Sequence, residues 1–254
     1  MSQQFERTKL LIGDEKLSIF SRSHVFIAGV GGVGSFVAEI LVRSGIGTIT
    51  IVDDDIIKVN NLNRQLPALH STLGLNKTEV VKNRLLDINP QCKIITHQKL
   101  LHKDNLKELL TVSPDGSTPD FIVDAIDSLS CKIQLLAYAA KNNIQIISCM
   151  GAGRRTDWRK IKLAKLDETN NCPLASRTRK FLRKLIRDSY ESTKPNISNI
   201  PVVYSDEIPT AFGSREIVSL GRDRVVNGTI AYIVSIMGSI AAAYVLEKLV
   251  PTST

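Results

Sequence analysis

Four glycines fall within six positions, Gly29-Val30-Gly31-Gly32-Val33-Gly34, between an apolar run at His24 to Ala28 and a helical pattern at Ser35 to Ser44. A loop of this kind between strand and helix lets the backbone approach a phosphate closely. The helix start beyond it offers unpaired amides and the positive end of its dipole. Asp53 stands 19 residues after Gly34, at the end of the next apolar run, where an acid accepts hydrogen bonds from ribose hydroxyls. Gly29, Gly31, Gly32, Gly34 and Asp53 therefore indicate a nucleotide, and NAD, FAD and ATP all use this arrangement.

Three further residues shift the choice towards ATP. Arg64 follows in Asn60-Asn61-Leu62-Asn63-Arg64-Gln65, Lys77 opens a helical pattern, and Asp127 lies four residues beyond an apolar run ending at Val123. Two cations suit a triphosphate, because nucleotidyl transfer must stabilise charge on the α-phosphate and on departing pyrophosphate. A carboxylate at the carboxyl end of a parallel strand can hold Mg²⁺ bridging those phosphates. Taken singly, Arg64 and Lys77 also read as surface charges and Asp127 as a helix N-cap.

The elements that must position these residues alternate as βα units, which predicts a parallel sheet. Strands are expected at 24–28, 48–52, 94–96, 121–123 and 145–148, with helices at 35–44, 77–88 (Asn76 as N-cap), 104–110 and 131–141. Ser113 to Pro119 reads as a turn. Beyond Met150 a glycine-rich turn and a strand at 162–166 lead into a helix at 174–187, followed by a polar loop from Ser189 to Pro201. The fold class is α/β, a mostly parallel sheet flanked by helices, forming one ATP-binding domain across 1–254 with a basic, partly irregular insertion at about 151–224. Val225 to Leu246 carries no charge and meets the bare length test for a membrane span. Its Asn227, Gly228, Thr229, Ser235, Gly238 and Ser239 favour a core helix covering the sheet, so no membrane insertion is expected.

The formal charge of +8 is local: residues 151–195 hold 13 Lys and Arg against 5 Asp and Glu, and the remainder is balanced. A concentrated cationic stretch fits a phosphate-rich partner, and equally a solvated helix face. Cys92, Cys131, Cys149 and Cys172 form no CxxC pair and read as reduced and buried, without a disulfide or zinc framework. The polar opening, Met1 to Lys16, does not resemble a signal peptide, so the cytosol is the expected compartment.

The series Gly-x-Gly-Gly-x-Gly, Asp53-x-Asp55, Asn61-x-Asn63-Arg64-Gln65, Lys77 and Asp124-x-x-Asp127 resembles the ubiquitin-activating, molybdopterin-synthase and sulfur-carrier adenylyltransferase superfamily, from about Gln4 to Ala152. The resemblance implies a Rossmann-like fold that adenylates a carboxylate. It implies that the glycines, Asp53, Asp55 and Asn61 bind the nucleotide, that Arg64 and Lys77 contact phosphates, and that Asp127 binds magnesium. Arg7 matches an arginine that reaches a partner subunit's ATP in relatives, which implies a homodimer. Arg43-Ser44-Gly45-Ile46-Gly47, Asp124-Ala125-Ile126-Asp127-Ser128, Gly151-Ala152-Gly153 and Cys172-Pro173-Leu174-Ala175 before a basic helix are similar to the tRNA threonylcarbamoyladenosine dehydratase branch. That likeness implies adenylation and cyclisation of a modified tRNA adenosine. It places tRNA on Arg179, Lys180, Arg183 and Lys184, a monovalent cation near Gly151, and a sulfur-transfer protein among the partners. Two other readings stand beside it: adenylation of the C-terminal glycine of a sulfur-carrier or ubiquitin-like protein, and a nicotinamide-dependent dehydrogenase. Here Cys172 replaces the Asp of the relatives' Asp-Pro-Leu, and no cysteine follows it to act as a late thioester nucleophile.

Overall fold

The computed structural model describes residues 3–111, 118–189, 195–210, 213–218 and 222–250. The chain enters through α1 (Glu6–Arg22), a helix interrupted at Gly13, whose φ of 84° leaves the helical region. Then follow β1 (His24–Ala28), α2 (Gly34–Arg43), β2 (Thr48–Val52), α3 (Lys77–Ile88), β3 (Lys93–His97), α4 (Leu106–Leu110), β4 (Phe121–Asp124), α5 (Leu129–Lys141) and β5 (Ile146–Cys149). Past β5 come β6 (Ile161–Lys165), α6 (Pro173–Ser189), β7 (Pro201–Ser205), the hairpin β8 (Gly213–Val218) and β9 (Arg222–Asn227), and α7 (Ala231–Leu249).

One seven-stranded sheet has the order β3-β2-β1-β4-β5-β7-β6, parallel throughout except for β6, which runs antiparallel to β7. Both faces are covered, so the central strands are buried along their length and successive residues feed opposite cores. Val25 and Ile27 of β1 pack with α2, α3 and α7 on one face, while Phe26 and Ala28 pack with α4, α5 and α6 on the other. The chain runs from β1 outward through β2 to β3, then crosses back to β4 on the other side of β1. This creates a topological switch point between β1 and β4, where ligands of such sheets bind at the carboxyl ends.

The expected elements of the first half are present with small changes of boundary, and α3 has the predicted bounds. Asn76 stands at the N-cap position, as expected, with extended backbone; its side chain makes no capping hydrogen bond and instead accepts one from Gln98 Nε2 at 2.7 Å. The turn expected at Ser113–Pro119 lies largely outside the described residues. The chain after the polar loop is more ordered in topology than expected, since β7 inserts between β5 and β6 and a hairpin follows it. The last helix is long and apolar enough to cross a membrane by length and composition, yet Ile233, Met237, Ala241, Ala242 and Val245 belong to the main core. Among the described residues all four cysteines are free and buried, and burial pushes the thiols of Cys92 and Cys149 up to about 12, far from a reactive thiolate.

Candidate active site

The glycine loop leaves β1 at the switch point. Gly29 has φ 87°, and a Cβ there would lie 2.9 Å from the Ala125 carbonyl oxygen in the loop after β4. A Cβ on Gly34 would sit 1.9 Å from the Gly29 carbonyl oxygen, so a side chain at that position would displace the turn. No side chain caps the N-terminus of α2, which leaves its first turn facing the crevice with backbone donors and the positive end of the dipole. Gly31 and Gly32 face the Gln65 carboxamide and Val234 respectively.

Asp53 braces this loop from β2. Its Oδ2 accepts the Val30 N–H at 2.9 Å and its Oδ1 accepts the Asp55 N–H at 2.9 Å. A carboxylate has about four lone-pair positions, so acceptor capacity remains for a ribose. Burial pushes the Asp53 carboxyl above its ordinary value, against the opposing pull of Lys77 and the two amides. Lys77 is buried in the first turn of α3 and donates to Asp55 Oδ2 at 2.8 Å, with Asp53 Oδ1 at 3.9 Å. Burial acts against ionisation of Asp55 as well, but the Lys77 hydrogen bond and charge outweigh it and hold that carboxyl below its usual value.

Arg64 lies on the loop beyond β2, its Nη1 donating to the Asn60 carbonyl at 2.8 Å and to Asn63 Oδ1 at 3.0 Å. Burial lowers the guanidinium's pKa, and the negative charge of Asp127 opposes that shift, so the two lie within electrostatic reach of one another. Asp127 is exposed beyond the end of β4, and the N-cap of α5 is Ser128. The helix-cap reading of Asp127 is therefore set aside. Asn63 donates to the Thr229 carbonyl at 3.0 Å, tying this loop to the segment that enters α7.

Asn61 takes a different place from the one expected. It is buried, its Oδ1 accepts the Lys58 N–H at 3.0 Å and its Nδ2 donates to Asn60 Oδ1, so it shapes its own turn. Arg179 also turns inward: its Nη1 donates to the Leu166 and Thr169 carbonyls at 2.9 Å each and to the Thr169 hydroxyl, which corrects its assignment to an open cationic face. Arg183 pairs with Asp167 at 2.8 Å, while Lys180 and Lys184 are exposed on α6. Arg7 lies at the other end of the sheet. Phe5, just before it, sits against Gly45 in the turn that feeds the amino end of β2, whereas the glycine loop is at the carboxyl end. Arg7, Thr8, Leu11, Ile12, Phe20 and Leu246 line a groove of about 770 Å³, beside which Leu10 and Leu11 are each 86% exposed.

Two features carried no assigned role in the sequence. Gln65 is buried, and its Oε1 has no hydrogen-bond partner among the described residues, which leaves an acceptor beside Gly31 for a ligand or water. Behind Asp127 lies a fully buried ionic cluster. Lys132 Nζ donates to Asp124 Oδ2 at 2.6 Å, to Ser148 Oγ at 3.2 Å and to the Cys149 carbonyl at 3.0 Å. Ser148 donates to Asp124 Oδ2 at 2.5 Å, and Asp124 Oδ1 accepts the Ile126 N–H at 3.1 Å. This cluster fixes the loop that presents Asp127.

A doubly wound sheet with a glycine loop at its switch point, a braced acid after β2 and an Arg and an Asp within electrostatic reach of one another defines a nucleotide-binding α/β enzyme of the adenylating kind. The ThiF family model matches residues 5–253, and the chain belongs to the ThiF family. It is 34% identical over 256 residues to the tRNA threonylcarbamoyladenosine dehydratase of Bacillus subtilis (strain 168), covering 98% of this chain and 95% of that protein. The Haemophilus influenzae protein of the same name is 39% identical over 182 residues, covering 72% of this chain and 68% of that protein. Among solved structures, the Escherichia coli tRNA N6-threonylcarbamoyladenosine dehydratase TcdA in complex with AMP superposes with a TM-score of 0.84 at 32% identity, covering 97% of this chain and 94% of that one. The same enzyme in complex with ATP gives 0.82 at 31% identity, covering 97% and 93%.

Proposed function

We propose that this chain is a tRNA threonylcarbamoyladenosine dehydratase, which adenylates the threonine carboxylate of the modified adenosine. A carboxylate oxygen attacks the α-phosphorus of ATP, the bond to the β-phosphate breaks, and pyrophosphate leaves with its electron pair. The neighbouring carbamoyl group then attacks the acyl carbon, gives up an N–H proton to solvent and expels AMP, which carries away the carboxylate oxygen; the net change in the nucleoside is loss of one water. Ring closure needs little beyond positioning, since nucleophile and adenylate belong to one substrate and react at high effective concentration. The observation that carries the reading is the crevice itself: uncapped helix donors, Arg64 and Asp127 meet at one switch point, in a fold matched along nearly the whole chain by the ATP- and AMP-bound TcdA structures.

In this reading Asp53 orients the ribose, the α2 amides receive a phosphate, and Arg64 balances charge on phosphates. Lys77 reaches them by exchanging its contact with Asp55, which is half exposed and can turn to solvent. The donor set fits Mg²⁺, which binds through one or two carboxylates, waters and substrate phosphates. Among the described residues there is no group of three His, Cys, Asp or Glu that would form an all-protein cage, and Asp127 stands exposed within electrostatic reach of Arg64. When bound, the ion neutralises charge on the phosphates. A monovalent cation at the Gly151 turn remains part of the proposal, tested by the thermal shift on adding K⁺ in place of a bulky organic cation.

A homodimer completes the site. Arg7 is remote from its own glycine loop, and the apolar groove around it, with exposed Leu10 and Leu11, supplies a face for a second copy that delivers Arg7 across the interface. Lys180, Lys184 and the other exposed cations of 151–195 would hold the RNA backbone, and the cytosol is the compartment this role implies. Nucleoside mass spectrometry tests the function directly. Threonylcarbamoyladenosine-containing tRNA incubated with the protein, ATP and magnesium is expected to lose one water, and a no-ATP control is not. No mass change, with pyrophosphate exchange only when a sulfur-carrier protein is supplied, would move the substrate to a protein tail.

A further inference from the structure

We propose that Trp158 is a stacking platform for an unpaired RNA base at the rim of the adenylation site; the proposal rests on the tRNA reading above. Trp158 is the single tryptophan of the chain, and 59% of it is exposed. An indole is a large apolar surface that folding normally buries, and here the exposure does not come from a loose segment. The turn Trp158–Lys160 is capped by Asp157, whose carboxylate accepts the Arg159 N–H at 3.1 Å. Glu207 accepts the amides of Thr156 and Asp157, each at 2.9 Å, and the Tyr232 hydroxyl donates to the Thr156 carbonyl at 2.9 Å. The indole is thus displayed on a turn anchored to the segment after β7 and to the start of α7.

Its position suits the substrate. Ile161, just beyond the turn, pairs with Ser205 at the carboxyl end of β7, the end of the sheet at which the glycine loop and Asp127 stand. In the order β4-β5-β7-β6, three strand spacings separate β4 from the edge strand that follows Trp158, roughly 14 Å at about 4.8 Å each. Nucleotides flanking a modified base held in the crevice can span that distance. The surroundings are cationic: Arg159, Lys160 and Lys162 follow within four residues, in the part of the chain that holds the entire net positive charge. Arg159 is neutralised by Asp157 and Lys162 by Asp206, which leaves exposed Lys160 as the nearest cation for a phosphate beside the stacked base. An aromatic face flanked by a cation on a rigid support matches the chemistry of single-stranded nucleic acid, where every base offers a π face.

Because the chain has one tryptophan beside five tyrosines, fluorescence excited on the red edge, where tyrosine does not absorb, reports this position alone. The full chain is titrated with an unpaired RNA oligonucleotide of anticodon-loop length and with threonylcarbamoyladenosine-containing tRNA. Saturable quenching by both is expected. Trp158→Ala is expected to weaken RNA binding at least about fivefold, the lower end for loss of one stacked base, without changing the slope of affinity against salt. Trp158→Phe retains most of the affinity, whereas charge reversal at Lys180 and Lys184 lowers the slope. Binding within twofold of wild type for Trp158→Ala, with no quenching, overturns the proposal; so does an unquenched tryptophan whose replacement instead alters self-association in sedimentation. Quenching by RNA without any dehydrated nucleoside would defeat the dehydratase reading and leave the platform standing. Normal dehydration and normal RNA affinity in Trp158→Ala would do the reverse.

Discussion

Replacing Lys132 by methionine is expected to destabilise the protein by about 3–5 kcal/mol, the range for removing one partner of a buried ion pair. The structure explains why the effect belongs in that range. The ammonium has three donors, and all three are used, on Asp124, Ser148 and the Cys149 carbonyl, at a position with no solvent exposure. Methionine fills a similar volume but leaves Asp124 as a buried carboxylate held only by Ser148 and the Ile126 amide. At about 2–4 °C per kcal/mol for a chain of this size, the melting temperature should fall by roughly 6–20 °C. The loop from Ala125 to Asp127 should loosen with it, so ATP affinity in the presence of Mg²⁺ should drop more than ATP affinity in EDTA. Denaturant unfolding of Lys132→Met, Asp124→Leu and the double variant forms the assay. The double variant removes the unpaired charge and is expected to be more stable than the sum of the two single losses allows. A Lys132→Met loss under about 1 kcal/mol, or strict additivity in the cycle, would refute the reasoning.

Asp127→Ala should abolish ATP-dependent turnover while leaving the melting temperature near wild type, because the residue is exposed; full activity with magnesium would remove it from the metal site. Arg7→Ala and Lys77→Ala, each inactive alone, should regain activity when mixed chains form dimers, and failure to complement would place Arg7 in a role within its own subunit. Glu39 ties α2 to α3 through Arg84 at 2.5 Å and also bonds Arg43 at 2.9 Å. Burial raises its pKa, but the two arginines outweigh that and hold the carboxyl below the ordinary 4.5. A depressed folded-state pKa gives stability that is present above the unfolded value and lost as pH falls through the folded one. Unfolding curves for wild type and Glu39→Gln should therefore converge as pH drops below 4.5; a gap that is constant with pH would show that the pair contributes nothing through ionisation.

The parts of the fold that could be read from sequence are those whose periodicity reports burial on its own. The helix at Lys77–Ile88 and the strands of the first half carry apolar spacing that only a doubly covered sheet satisfies. The first helix was not legible, because among its seventeen residues only Leu17 and Phe20 are buried and Gly13 breaks its path. Strand β7 was hidden for another reason: five residues after a polar stretch look like a loop edge, and only the tertiary gap between β5 and β6 makes them central. At the site, glycine spacing identified the tight turn after β1, because close backbone approach depends on residue type. Side-chain direction did not follow from type. Asn61 and Arg179 have the chemistry of ligand-binding residues, but Asn61 bonds within its own turn and Arg179 to the Leu166–Thr169 turn that precedes its helix. Lys132 did carry a signal, since it shares a stripe with Leu135, Leu136 and Ala139, and a lysine on an apolar face calls for a buried acid.

The order of strands has a consequence for how the chain is made. Because β7 lies between β5 and β6, the sheet is not laid down in the order of synthesis. When β6 has left the ribosome, the outer edge of β5 has no partner, and β6 has no strand to pair with until Pro201–Ser205 emerges. Until then β5 keeps an open parallel edge, while the cationic helix α6 can already pack against α5. The last helix, which covers one face of the sheet, arrives later still. Nascent chains ending before β7 are thus the species for which a chaperone, or the bound RNA itself, would matter most.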